Sequence, residues 1–312
     1  MPRSPQPRHD TDREVALRRR RFTGAATQLG TEVSINFGSA LAGLLIPIVG
    51  SFVVVAARQV VMVAAILPFY RPKRAELTLR RLWPALALGV VLAVMNLAFY
   101  ESVHLLGLGI AATIEFLGPL ALALATSRRL LDVICALAAG AGVVLLIGPW
   151  SSDASTIDPW GVALALTAAA AWAGYIVLTR RVAVGLPGLE GLTVASIVSL
   201  SLLLPFAIAT FDPSVIDWRI VGLLLGVGVL SSALPYSLDT FILRRITPRL
   251  FAIITSFGPV IAAIFGWLVL SETFTFVEVL AIAVVCGAAG TAIATQGDRP
   301  KSDLEQTAEG MA

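Results

Sequence analysis

Long apolar runs, each closed by a charged cluster or a Pro/Gly break, are the feature that most restricts how this chain can fold. Cutting at those breaks leaves ten runs, over residues 27–49, 51–69, 82–102, 107–126, 130–148, 159–179, 189–210, 219–242, 248–270 and 275–295. A helix needs about 20 mostly apolar residues to cross the hydrocarbon core. Hydrophobic residues make up 57% of the chain and charged residues only 14%, with a mean hydropathy of +0.86, whereas soluble domains carry about 25% charged residues. The expected fold is therefore an all-α membrane protein with ten transmembrane helices. The two runs that meet at Gly50-Ser51 are separated by a tight turn that Pro47 and Gly50 make feasible.

The charges supply a check on this division, because Lys and Arg collect on cytoplasmic loops. With the N-terminus inside, the cytoplasmic segments hold seven basic residues in the arm and five between Arg71 and Arg81. They also hold Arg128 and Arg129, Arg180 and Arg181, Arg244, Arg245 and Arg249, then Arg299 and Lys301. Of the 23 Lys and Arg, only Arg219 falls outside and only Arg58 within a span. Ten spans with both termini cytoplasmic are thus expected. Residues Met1–Arg21 form a polar, basic stretch without an apolar core, unlike a secretory signal. The RRRRF run at Arg18–Phe22 has a superficial likeness to a twin-arginine signal, but the run after it contains Glu32, Ser34 and Asn36 and continues into a span. Topology anchoring explains the basic clusters, and a net charge of +3 gives no footprint for a nucleic acid. Cys135 and Cys286 lie inside apolar runs, and His9 and His104 are the only histidines, so neither a disulfide framework nor a metal site is expected.

Two short patterns recur. AAILPF at Ala64–Phe69 returns as SLLLPF at Ser201–Phe206, and FLGP at Phe116–Pro119 as SFGP at Ser256–Pro259, with lags of 137 and 140 residues. A five-span unit that repeats must be inverted, because five is odd, and inverted repeats place a transporter's site near the midplane. The expected organisation is a basic arm (1–24), a first five-helix repeat (25–150), a second (151–296) and a cytoplasmic tail (297–312).

Polar groups inside the spans are costly in hydrocarbon and are the candidates for function. Glu115 lies near the middle of its run, with Pro119 one turn on to open the helix. Irregular backbone at that depth is tolerated where it lines a cavity or is buried in protein. Glu115 therefore reads either as a cavity carboxylate, for a substrate ammonium or a proton, or as the partner of Arg58. Arg58 carries a planar fork suited to a substrate carboxylate; alternatively it pins its helix to Glu32, Glu115 or free carbonyls. Asn96 and Tyr100 share a face of the third span, as Ser232 and Tyr236 do on the eighth, where Pro235 supplies a break and Asp239 lies one turn nearer the cytosol. These are candidate pathway residues, the other reading being interhelical glue and, for Asp239, an interfacial pair with Arg244 and Arg245. Phe116 and the breaker Pro259 complete the candidate set. Trp172 and Tyr175 read as packing, Glu101 and His104 as solvated outer-end groups, and LAAGAG (Leu137–Gly142) and CGAAG (Cys286–Gly290) as close helix contacts.

The run MNLAFYESVHLLGLGIAATIEFLGPLALALATSRR (Met95–Arg129) resembles the threonine/homoserine exporter branch of the EamA-type drug/metabolite transporters, as does LSSALPYSLDTFILRRITPR (Leu230–Arg249). IPIVGSFVVVAAR (Ile46–Arg58) and LSETFT (Leu270–Thr275) fit as well. The resemblance implies a ten-helix inner-membrane exporter of amino acids or related metabolites. It departs in the ninth span, where the superfamily often has Glu before Pro and this chain has Gly258-Pro259.

The leading functional expectation is an alternating-access exporter driven by proton entry. A second keeps the fold but changes the cargo to amphipathic drugs, nucleosides or other metabolites; Glu115 with Arg58 favours a zwitterion. An intramembrane enzyme would need a nucleophile with a base or clustered metal ligands. The chain has no GxSxG, no HExxH and no mid-span histidine. It also lacks a P-loop for ATP.

Overall fold

In the computed structural model, residues 8–70, 78–125, 130–148, 157–186, 189–243 and 245–295 are described. Helices α1 (Arg8–Val49), α2 (Ser51–Ile66), α3 (Leu79–Leu106), α4 (Leu108–Glu115), α5 (Leu117–Ala125) and α6 (Leu130–Ile147) come first. Then follow α7 (Pro159–Gly185), α8 (Glu190–Thr210), α9 (Trp218–Gly228), α10 (Leu234–Leu243), α11 (Pro248–Thr255), α12 (Gly258–Leu270) and α13 (Phe276–Thr295). Among the described residues there is no strand. Arg71, Lys73, Arg74, Arg128, Arg129, Arg244, Arg299 and Lys301 lie outside the described residues, as do the side chains of Asp239 and Arg249.

Among the described residues, eight helical segments are long and apolar enough to cross a membrane, and Ser51–Ile66 and Leu108–Leu122 are shorter apolar helices. The chain is a multi-pass membrane protein. Its burial pattern suits that solvent. Leu44, Ile48, Val60, Leu137, Val144, Phe206, Ile208 and Trp267 point outwards, while Gln28, Glu32, Asn36, Gln59, Asn96, Ser196 and Ser232 are buried. Lipid exerts no hydrophobic drive against exposed leucine, whereas a polar side chain in hydrocarbon must find protein partners.

The first helix starts earlier than its apolar run suggests, since it runs back to Arg8. Gly50, with φ +80°, joins α1 directly to α2, and Gly107, with φ +85°, joins α3 to α4 in the same way. This left-handed region is open to glycine without a Cβ clash. The expected close helix contact is present: α6 packs along α13, and a Cβ on Gly142 would lie 2.8 Å from Val285 and 3.1 Å from the Ala281 carbonyl.

Three interruptions shape the interior. Helix α4 ends at Glu115, and α5 starts two residues later. Helix α11 ends at Thr255, and α12 starts at Gly258. Between α9 and α10 the chain is not broken; it widens into a π turn over Val229–Ala233. Prolines account for all three. Pro119, Pro259 and Pro235 have no N–H, so the carbonyls four residues back, on Glu115, Thr255 and Ser231, lose their usual α-helical donors. A π turn is one way a helix absorbs such a defect, and such turns are frequent at functional sites. At the expected Pro235 break, then, the helix continues through a π turn.

The two broken helices are tied together at one end. Glu272, in the turn between α12 and α13, accepts from the Leu108 amide at 2.5 Å and the Gly109 amide at 3.2 Å, at the start of α4. Its own amide donates to the Gly266 carbonyl. Burial pushes the Glu272 carboxyl upward from 4.5, and those two amides oppose the shift. Glu101, expected to be solvated, instead accepts from the Ser51 hydroxyl and so fastens α3 to α2; His104 is exposed.

Candidate functional site

Arg58, half-way along α2, is the centre of a polar cluster drawn from three helices. Its Nε donates to Ser232 Oγ at 2.5 Å. One terminal nitrogen donates to Asn96 Oδ1 at 2.5 Å and to Tyr100 Oη at 3.1 Å. The other donates to the Ser231 carbonyl at 2.7 Å, which is the carbonyl that Pro235 deprives of a donor. The guanidinium also lies 5.5 Å from the centre of the Tyr100 ring, within reach of a cation–π attraction.

The supporting residues are held in turn. Asn96 is 4% exposed and Tyr100 fully buried, and being four residues apart on α3 they present both acceptors on one face. The Asn96 amide nitrogen donates to the Leu92 carbonyl at 2.8 Å, which aims Oδ1 at Arg58. Tyr100 Oη lies 3.5 Å from Ser39 Oγ on α1. A small cavity opens beside the guanidinium, bounded by Arg58, Gln59, Met62, Leu92, Asn96, Ser196, Ser232 and Tyr236. The Oγ of Ser196 and the Oε1 of Gln59 are buried with no hydrogen-bond partner.

All the named partners of Arg58 are neutral. None of its hydrogen bonds goes to Glu115 or Glu32. Of the structural roles open to Arg58, the one realised is a bond to a freed carbonyl. Glu115, at the end of α4, is half-buried, and Arg58 is the charge that acts on it electrostatically. The two charges thus share one region of the interior without a direct bond.

The other expected site residues divide. Asn96, Tyr100, Ser232 and Tyr236 gather at Arg58. Phe116 does not: it is 3% exposed and packs edge-on against Trp172 with ring centres 5.7 Å apart, in a core that includes Leu120, Cys135 and Ala289. Trp172 is therefore the packing residue its sequence suggested. Pro119 lies in α5 and Pro259 is buried at the start of α12. Asp239 belongs to α10.

Sequence reasoning missed a second polar cluster. Gln28 Nε2 donates to Glu32 Oε1 at 3.0 Å and to Thr255 Oγ1 at 3.1 Å. Asn36 Nδ2 donates to the Glu32 carbonyl at 2.9 Å. The available signal was the spacing of Gln28, Glu32 and Asn36 at four-residue intervals, which puts them on one stripe of α1.

A bundle of apolar helices, interrupted at proline within its interior and holding a half-buried arginine beside a cavity, is the architecture of a membrane transporter. Residues 159–295 match the EamA-like transporter family. The threonine/homoserine exporter RhtA of Salmonella typhimurium is 38% identical over 82% of this chain and 86% of its own. The Escherichia coli K12 protein of the same name is 34% identical over 87% and 92%. A solved crystal structure covering 92% of this chain shares the fold, with a TM-score of 0.59 at 22% identity. The chain belongs to the EamA-type drug/metabolite transporters, in the branch of the threonine/homoserine exporters.

Proposed function

We propose that this protein exports amino acids of the threonine/homoserine type, or closely related small metabolites, by proton-coupled alternating access. In this reading ten spans form two inverted five-helix repeats, with both termini in the cytoplasm and Glu115, Arg58, Asn96, Tyr100, Ser232 and Tyr236 on the pathway. Asp239 stands at its cytoplasmic end.

The observation that carries the reading is Arg58. Its guanidinium is held by four neutral oxygens beside a cavity, so its charge is left for an incoming anion. Four of its five N–H groups are committed to those oxygens, so what it offers a carboxylate is charge and the fifth N–H. Glu115 stands in the same region without a bond to Arg58 and complements the ammonium of the same zwitterion. Cavity walls that are polar rather than dominantly aromatic support an amino acid over an amphipathic drug, as do the names of the relatives.

The test is efflux from cells loaded with threonine or homoserine, with and without the protein, across a broad amino-acid panel. Expression should speed efflux of a hydroxylated amino acid and leave bulky aromatic ones unaffected. Equal efflux from both kinds of cell across the whole panel would sink the amino-acid reading.

A further inference from the structure

Each of the two helix breaks has a glycine before its proline, and each glycine is packed against a different helix. A Cβ on Gly118 would lie 2.0 Å from the Ala169 carbonyl oxygen on α7. A Cβ on Gly258 would meet Glu32 Oε2 on α1, at 3.5 Å. Gly258 follows Gly118 by 140 residues, and Ala169 follows Glu32 by 137, which are the lags at which the sequence repeats. Glu32 therefore occupies at the second break the place that Ala169 occupies at the first. Conversely, Thr255 occupies the register position of Glu115. The first break carries its carboxylate on its own helix; the second receives one from α1.

We propose that Glu32, with Gln28 and Thr255, forms a second acidic site in this protein, one that binds and releases a proton at the Gly258-Pro259 break. Glu32 is 6% exposed and Gln28 is 1% exposed. A packed site of this kind admits a proton rather than an organic cation. Gln28 Oε1 is a buried acceptor with no partner, so turning the amide over breaks no bond at that atom. The amide suits both states. Its Nε2 donates to the carboxylate, and turned over, its Oε1 accepts from the carboxylic acid O–H. The Thr255 hydroxyl, which donates or accepts as required, follows either orientation.

The elements packed on α1 are α2, α3, α4, α9, the π turn, α10, α11 and α12. The π turn and α12 carry no titratable side chain. The inner lengths of the others bring Arg58, Tyr100, Glu115, Tyr236 and Asp239, while Arg80, Arg81, Glu101, His104, Arg219 and Arg249 sit at helix ends. Arg58 is bound to Ser232, Asn96, Tyr100 and Ser231 and makes no hydrogen bond to Glu32.

This inference rests on the proton-coupled reading above, and its test separates the two. The full-length protein, wild type and Glu32→Gln, is reconstituted in liposomes with radiolabelled threonine or homoserine. Glu32→Gln should lose accumulation driven by a pH gradient by at least tenfold, while keeping counterflow exchange of labelled for unlabelled amino acid at equal pH. Unchanged gradient-driven accumulation overturns the proposal, and so does loss of exchange together with accumulation in a folded variant. A cargo-independent arm covers both a wild type that moves neither amino acid and a variant that fails to fold. Protonated carboxyl groups absorb in the infrared at the C=O stretch, so wild-type protein should give a band that declines as pH rises and that Glu32→Asp shifts. No such band at any pH, or one independent of pH, overturns the proposal whatever the cargo proves to be.

Discussion

The two helix breaks resemble each other in backbone and differ in almost everything attached to it. Both end an α-helix four residues before a proline and restart it around a Gly-Pro pair. At the first, Gly118 lets the backbone of α7 approach so closely that no side chain fits, and the carboxylate belongs to the broken helix itself. At the second, the contact at Gly258 is an ordinary van der Waals one with a carboxylate from another helix. The backbone defect is set by proline chemistry. Where its acid comes from is a matter of which helix packs there. An acid on the broken helix lies in the field of Arg58; an acid from α1 accepts from an amide that also donates to a threonine hydroxyl.

The sharpest way to break this comparison is Glu115→Gln. It keeps size and hydrogen bonding but removes the charge that would hold an ammonium or a proton. Hydrogen bonds to charged groups are worth about 1.5–3 kcal/mol, so transport should fall about tenfold to hundredfold. Since Arg58 is bonded to neutral groups instead, thermal stability in detergent should stay within about 1 kcal/mol. A stability loss of roughly 3–5 kcal/mol, shared by Arg58→Gln and relieved in the double variant, would mark a buried pair and return both residues to a structural role.

Gly118→Ala against Gly258→Ala isolates the packing difference. The first places a methyl 2.0 Å from a backbone oxygen that cannot rotate away, whereas the second adds a contact at 3.5 Å. Overpacking costs about 1–3 kcal/mol and at times more. Gly118→Ala should therefore lower the melting temperature clearly and Gly258→Ala barely. Equal losses would mean that the glycines serve backbone freedom rather than approach.

A smaller effect is expected from Arg58→Lys. An ammonium keeps the charge but cannot reach Ser232, Asn96, Tyr100 and Ser231 as one planar fork. Apparent affinity should weaken by about tenfold, or 1.4 kcal/mol, with insertion unchanged. Unaltered kinetics would show that only the charge matters.

The smallest concerns the Glu272 tie between the two broken helices. Burial raises its folded pKa above 4.5, so its contribution to stability is present below 4.5 and is lost as pH rises through the raised value. Relative to wild type, Glu272→Gln should gain stability as pH is raised from 4.5 towards neutrality. A pH-independent difference in melting temperature between the two would remove Glu272 as the titrating group.

Much of this molecule was legible in the chain. Apolar runs are long enough to span, and prolines four residues after Glu115 and Ser231 mark where carbonyls lose their donors, because both follow from local chemistry. Asn96 and Tyr100 were found together because a four-residue spacing sets one helical face. That Phe116 packs on Trp172 rather than at Arg58 was not legible, because adjacency to Glu115 says nothing about the direction of a side chain. Glu32 was visible as a mid-span carboxylate, yet its partner was sought in Arg58.

What the sequence determined by itself was the solvent, the helical class and the places where helices must yield, since hydropathy and proline act within a few residues of the chain. Only the tertiary structure decided which carbonyl Arg58 would satisfy, that Phe116 would meet Trp172, and that α1 would carry a carboxylate to Gly258 across more than two hundred residues of chain. Those contacts join positions that no local period links. They are fixed by which helices pack together and by the cost of leaving a polar group in hydrocarbon without a partner.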